Sequence, residues 1–245
     1  MKTQVIAFAA AVACCFSASL SVCANASPAP SDNDMTMTPS VSGYDEVKIS
    51  GEFRVKYCNP SEVLRIVASR NVLDDVECFV KDNELVVKFI KGQAARAILS
   101  GKSPIVYIPA SADIEKIELN GACKFECEYP IEGDEFEFEV AGAATIKADV
   151  KVRKLDVDCS GAASVTVTGT AEKLDLDISG ASKVNAIEGF ECTRTEIDMS
   201  GSSVVKVNCT EKISGEISGA SIVKYHGSPA VSVHTSGVSN ISEAK

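Results

Sequence analysis

The side chains with the most evident chemical potential are acids in recurrent pairs: Asp156 and Asp158, Asp175 and Asp177, Glu196 and Asp198. If the chain returns to the same place once per repeat, these carboxylates stack as a ladder with a rung spacing of about 4.8 Å. Oxygen ligands so arranged suit weak Ca²⁺ binding between rungs. Solvent alone also accommodates them, because like charges about 4.8 Å apart repel by only about 1 kcal/mol in water and less in salt. The calcium-binding β-roll pattern, two glycines before the aspartate, is not matched, since here a single Gly follows. A basic column of Lys147, Lys206 and Lys224 lies across that glycine from the acids. His226 and His234 are isolated and no CxxC pair occurs, so no zinc site is indicated. The sequence therefore assigns no catalytic residue, no cofactor and no metal site beyond these six carboxylates as cation-ladder candidates.

Cysteine is the second reactive group. Of ten cysteines, Cys14, Cys15 and Cys23 fall in the first 26 residues, leaving Cys58, Cys78, Cys123, Cys127, Cys159, Cys192 and Cys209. An odd number leaves at least one thiol unpaired or bridging chains. Cys159 stands in an aliphatic column and Cys127 in a small-apolar one, which reads as core. Cys192 and Cys209 are separated by nearly one repeat, so a Cys192–Cys209 disulfide between adjacent return segments is the pairing to test.

What must position these groups is a repeat. Small-Gly-small corners at Gly121, Gly142, Gly161, Gly180, Gly201, Gly219 and Gly237 follow one another at 21, 19, 19, 21, 18 and 18 residues. Aligned on the glycine, polarity alternates with a period of two on both sides, which is strand periodicity. Two residues before it stand Leu119, Val140, Cys159, Ile178, Met199, Ile217 and Thr235; four after it stand Phe125, Ile146, Val165, Val184, Val205, Val223 and Ile241. Three before it, an acid recurs in six of seven copies, with His234 in the last. Asn-Gly and Asp-Gly hairpin signals are nearly absent. Two short strands, one glycine corner and a return make one coil of a β-solenoid, whose columns stack through parallel ladders. The fold class is all-β: a right-handed parallel β-helix of about seven coils. The corner needs glycine because the backbone bends sharply there with positive φ.

The repetitive part spans 111–245. Residues 41–110 have a different texture and read as an N-terminal β-rich cap, continuous with the solenoid as one structural unit over 41–245. Here Ser50-Gly51-Glu52 makes an irregular first turn, and Glu77 to Ile90 is a hairpin turning at Lys81-Asp82-Asn83. A cap is needed because an open solenoid end exposes strand edges. Residues 27–40 are rich in Pro, Ser and Asp and read as a flexible linker. Residues 1–26 read as a signal peptide: Lys2, an apolar run from Val5 to Cys15, and a small-x-small site at Ala24-Asn25-Ala26. That run is too short to span a bilayer. Lipidation at Cys23 competes less well, because bulky Val22 precedes it.

A formal net charge of −10 argues against a nucleic-acid partner. The absence of Trp argues against a sugar-processing cleft, as do coils too regular to carry long insertions. Binding or adhesion by a non-enzymatic surface is the preferred reading. A periplasmic structural or envelope-stress sensory scaffold is the alternative, and a polysaccharide-active β-helix enzyme the third.

The strand GYDEVKISGEFRVKY at Gly43 to Tyr57, the hairpin KDNELVVKFIKG at Lys81 to Gly92, and the iterated LDVDCSGAASVTV and LDLDISGASKVNA resemble the putative auto-transporter adhesin, head GIN domain family. The resemblance covers about Gly43 to Lys245. It implies a right-handed β-helix-like domain at the Gram-negative cell envelope, periplasmic or at the cell surface, with an adhesin-like role. Its partners would be extracellular glycan, protein or other envelope components, and no catalytic residues carry over. The cysteine content departs from the family pattern.

Overall fold

The computed structural model describes residues 34–92 and 102–244. Residues 1–26, read above as a signal peptide, most of the segment read as a linker, and Cys14, Cys15 and Cys23 lie outside the described residues. About 68% of the chain is strand and 2% helix, wound into a β-solenoid of about seven turns.

The regular part begins with β8 (Lys116–Gly121) and β9 (Lys124–Cys127), preceded by β1 (Asp34–Met37), β2 (Glu46–Gly51), β3 (Arg54–Cys58), β4 (Arg65–Ser69), α1 (Arg70–Leu73), β5 (Val76–Lys81), β6 (Glu84–Phe89) and β7 (Ile105–Pro109). It continues through β10 (Ile131–Gly142), β11 (Thr145–Gly161), β12 (Ser164–Gly180), β13 (Lys183–Ala186), β14 (Phe190–Gly201) and β15 (Val204–Ile217). β16 (Ile222–His226), β17 (Ala230–Thr235) and β18 (Asn240–Glu243) complete it. From β8 onward every pairing among the described residues is parallel, and the corners stack glycine over glycine: Gly121 pairs Gly142, Gly142 pairs Gly161, Gly161 pairs Gly180 and Gly180 pairs Gly201. The alternating columns point as their polarity requires. Ile117, Phe138, Val157, Leu176 and Ile197 are at most 2% exposed, and so are Phe125, Ile146, Val165, Val184, Val205 and Val223 on the far side of the corner.

At each corner the glycine carbonyl accepts the N–H of the residue after the next rung's glycine, as from Ala181 to Gly161 and from Ser202 to Gly180, both at 2.8 Å. The corners approach so closely that a Cβ on Gly180, whose φ is +124°, would collide with the Gly161 carbonyl oxygen. Two residues past the glycine, the chain buries a ladder of small side chains: Cys123, Ala144, Ala163, Ser182, Ser203 and Ser221. Its hydroxyls stitch one rung to the one before. Ser203 Oγ accepts the Ser182 N–H at 3.0 Å and donates to the Gly180 carbonyl at 3.2 Å. Ser182 does the same with Ala163 and Gly161. Buried polar groups are thereby satisfied where the turn interrupts the ladder.

The N-terminal part is more than a cap. The strands on either side of Gly51, expected as an irregular turn, are a full rung: β2 lies in register on β8, with Gly51 opposite Gly121, and β3 lies on β9. Beneath that rung, β6 pairs parallel with β2 and β7 with β3. The stack is therefore out of chain order, with the β2–β3 rung held between β6–β7 and β8–β9. The outer edges are closed by antiparallel strands, β5 on β6 and β4 on β7. The β5–β6 hairpin turns at Asp82 and Asn83, both with positive φ, as the sequence indicates. Asp34–Met37, placed by composition in the linker, instead forms β1, antiparallel to β4, with Met37 packed against the core.

The few aromatic residues mostly lie toward this end. Phe53 stacks on Phe89 with centroids 4.7 Å apart, and Phe138 meets Phe125 and Phe136 edge-on at 5.3 and 5.0 Å. Leu176, 2% exposed, lies near the middle of the stack. Leu176→Asp, which places a charge there with no partner, is expected to abolish the cooperative thermal transition seen by circular dichroism; a melt unchanged from wild type would refute the column assignment.

Candidate functional site

The acid pairs stack as the sequence indicates. Asp156, Asp175 and Glu196 form one column and Asp158, Asp177 and Asp198 the next. The two columns differ in their countercharge. Lys154 and Lys173, two residues before the first column, reach across rungs. Lys154 Nζ lies 2.8 Å from Asp156 and 3.4 Å from Asp175, and Lys173 Nζ lies 2.7 Å from Asp175 and 3.0 Å from Glu196. Hydrogen bonds to Asp156 and Asp175 hold these ammonium groups above the ordinary lysine value. Lys116 bridges Glu137 and Glu139 in the same way, at 2.8 and 2.7 Å. This lysine column escapes a reading that looks for cations only across the glycine; the Lys-x-Asp spacing in Lys154-Leu155-Asp156 and Lys173-Leu174-Asp175 is its signal.

The second column has no ion pair among the described residues. Partial burial, with Glu137 and Asp177 facing it, pushes the Asp158 carboxyl up. Asp198 accepts the Glu216 N–H at 3.0 Å, a contact opened by Gly215, which stands in an otherwise apolar inward column with φ +131°. Asp177, Glu196, Asp198, Glu216 and His234 there border a shallow open depression of about 860 Å³. Among the described residues, no three His, Cys, Asp or Glu side chains converge as a metal site. The ladder is a spread of carboxylates along a flat face, not a cage.

Across the corner the surface has the opposite sign. At the outward positions three and five past the glycines from Gly51 to Gly219 stand Arg54, Lys56, Lys124, Lys147, Lys183, Lys206 and Lys224, with Thr145, Ser164, Thr166, Asn185, Val204 and Ile222 between them and Glu126 as the sole acid.

The cysteines separate into two kinds. Burial pushes the Cys58, Cys78 and Cys123 thiols up to about 11 and those of Cys127 and Cys159 to about 12, which makes them poor nucleophiles. Cys192 and Cys209 are in-register neighbours on β14 and β15, both thiols and both buried. The facing Cys192 lowers the Cys209 thiol below its ordinary value, and Cys209 in turn raises Cys192. Thr195 Oγ1 lies 3.1 Å from Cys192 Sγ. Just past them the register shifts, with Arg194 opposite Lys212.

In-register rungs, a glycine corner and two oppositely charged faces define a parallel β-solenoid. The chain belongs to the putative auto-transporter adhesin, head GIN domain family, whose sequence profile matches residues 43–229. Similar solved structures include a putative adhesin from Bacteroides fragilis, with 22% identity and a TM-score of 0.75, covering 88% of this chain and 99% of the other. A putative adhesin and a putative lipid binding protein from Parabacteroides distasonis each reach a TM-score of 0.61. They have 20% and 16% identity, and cover 86% and 88% of this chain and 97% and 98% of their own. At such identities the likeness is one of fold. No curated protein sequence matches.

Two outcomes are expected from this geometry. Because the folded-state pKa of Asp158 is raised, the native state binds more protons than the unfolded one above the ordinary aspartate range, so this group's contribution falls as pH rises. Asp158→Asn is expected to raise the melting temperature by about 1–3 °C at pH 7, with the gain vanishing below pH ~3.5, where Asp158 is protonated in both states; melts across that range check it. For the thiols, the chain lacking residues 1–26, refolded in a glutathione redox buffer, is expected to carry one disulfide joining the peptides of Cys192 and Cys209, with the five other thiols alkylated. Seven alkylated thiols by intact mass would exclude the bridge.

Proposed function

We propose that this protein is an exported, non-enzymatic component of the Gram-negative cell envelope that presents its solenoid as a rigid, repetitive binding surface facing outward from the cell. The observation that carries this reading is the regularity of the outward columns. Charged and hydroxyl side chains recur rung after rung on in-register strands, and the coils leave little chain for loops that could wall a cleft. Such a surface favours many weak, equivalent contacts with an extended partner. Family membership supports an adhesin-like role at the envelope or surface. Among the described residues no helix is long and apolar enough to cross a membrane. The N-terminal pattern of Lys2, Val5–Cys15 and Ala24-Asn25-Ala26 supports export with cleavage after Ala26.

Labelling intact cells with a membrane-impermeant amine reagent tests location. The expected result is modification of exposed lysines such as Lys147 and Lys183 without labelling of a periplasmic marker, on a chain whose N-terminus is Ser27. Labelling only after the outer membrane is permeabilised would replace the adhesin with a periplasmic scaffold.

A further inference from the structure

The cations on the solenoid are not distributed evenly with respect to their partners. Lys48, Lys116, Lys154 and Lys173, on the strands before the glycine corner, are each ion-paired, and each reaches two carboxylates. On the strands after it Lys56 pairs with Glu128, but Arg54, Lys124, Lys147, Lys183, Lys206 and Lys224 have no ion pair among the described residues, although the whole chain carries a formal charge of −10. All but the partly covered Arg54 and Lys206 are exposed.

Their register places one on nearly every rung. Arg54 lies opposite Lys124, which lies opposite Thr145 beside Lys147. Lys147 stands over Thr166, Asn185, Lys206 and Lys224 in a single column. Between the Arg54 and Lys224 rungs only the rung of Gly161 lacks a cation, and there Ser164 and Thr166 present hydroxyls. From the Arg54 rung to the Lys224 rung is six rung spacings, roughly 29 Å. The strip runs along the stack, its cations shared between the two adjacent outward columns three and five past the glycine.

We propose that this strip binds a linear anionic polysaccharide lying along the solenoid axis, the lysines meeting its carboxylate or sulfate groups and the Ser, Thr and Asn side chains its hydroxyls. The inference deepens the binding role proposed above by naming the partner's chemistry. Charge complementarity selects an anion, and the length of the run selects a polymer. Unpaired lysines need no existing ion pair to be broken before they engage. At physiological salt the screening length is about 8 Å, so a polymer on this side responds to the local lysines more than to the acids around the corner. The mixture of point cations with short hydroxyl donors, and no exposed aromatic side chain at these positions, fits sugars with charged groups better than stacked bases.

The test measures binding of the purified full chain to polygalacturonate, heparin, uncharged dextran and double-stranded DNA in 0.15 M salt. Two variants of equal net charge accompany it: Lys147→Glu/Lys206→Glu/Lys224→Glu on the strip, and Arg70→Glu/Lys91→Glu/Lys212→Glu at exposed positions elsewhere. The expected result is binding to at least one anionic polysaccharide that weakens with salt, and no binding to dextran. The strip variant should lose at least tenfold in affinity, with the other variant within twofold of wild type and both melting as wild type does. Should the strip variant not fold, blockage of lysine acetylation at Lys147, Lys206 and Lys224 by bound polysaccharide, mapped by mass spectrometry, gives the same answer on the native chain. Absence of binding to both polysaccharides, equal losses in the two variants, or equal affinity for DNA would overturn the proposal. Because the measurement is made in solution, its failure is separate from any failure of the cell-surface location.

Discussion

The stack depends on the contact between one glycine corner and the next. Parallel strands in register can turn together only if successive backbones bend at the same residue. At this corner the distance between rungs leaves no room for a Cβ: one on Gly142, Gly161, Gly180 or Gly201 would run into the carbonyl oxygen of the glycine on the preceding rung. Glycine also tolerates the positive φ that the bend requires. The close approach makes the corner a hydrogen-bonded ladder of its own, strengthened by the buried serines two residues on. Once corner lies on corner, every other residue is fixed over its counterpart, and the inward and outward columns follow.

That same register imposes an electrostatic problem. A repeat that puts an acid outward does so on every rung, so like charges come to lie about 4.8 Å apart. The structure resolves this in two ways. The column of Asp156, Asp175 and Glu196 takes countercharge from lysines placed to bridge successive rungs, a network rather than isolated surface pairs. The column of Asp158, Asp177 and Asp198 has no ion pair among the described residues, and there partial burial and the neighbouring acids raise the Asp158 pKa. With the acids and their lysines gathered before the corner, the strands after it keep unpaired cations. A chain that is acidic as a whole thus presents one basic side, a distinction that net charge conceals.

How far the sequence could be read depended on how local the signal was. The inward columns, the corner and the acid ladder were legible because they repeat at a near-constant interval, and repetition is visible without knowing what touches what. The closeness of Cys192 and Cys209 followed from the same interval. The rung around Gly51 was harder to place, since its neighbours in the stack come from residues 84–89 and 116–121 and no single period connects them. The β1 strand was hidden by its composition: Asp34–Met37 is held by pairing with β4, a contact with a segment some thirty residues away. The serine ladder sits in plain view in the Ser-Gly-Ala-Ser corners, yet its role needs the spacing between rungs.

By itself the sequence determined the class of fold and the polarity of each column, because the alternation of side chains along a strand and the steric demand for glycine are properties of the local chain. Tertiary structure alone decided which columns face one another, the order in which the rungs stack, and which lysines are consumed in ion pairs. Those outcomes depend on contacts between residues distant in sequence, whose distances are set only when the coil closes.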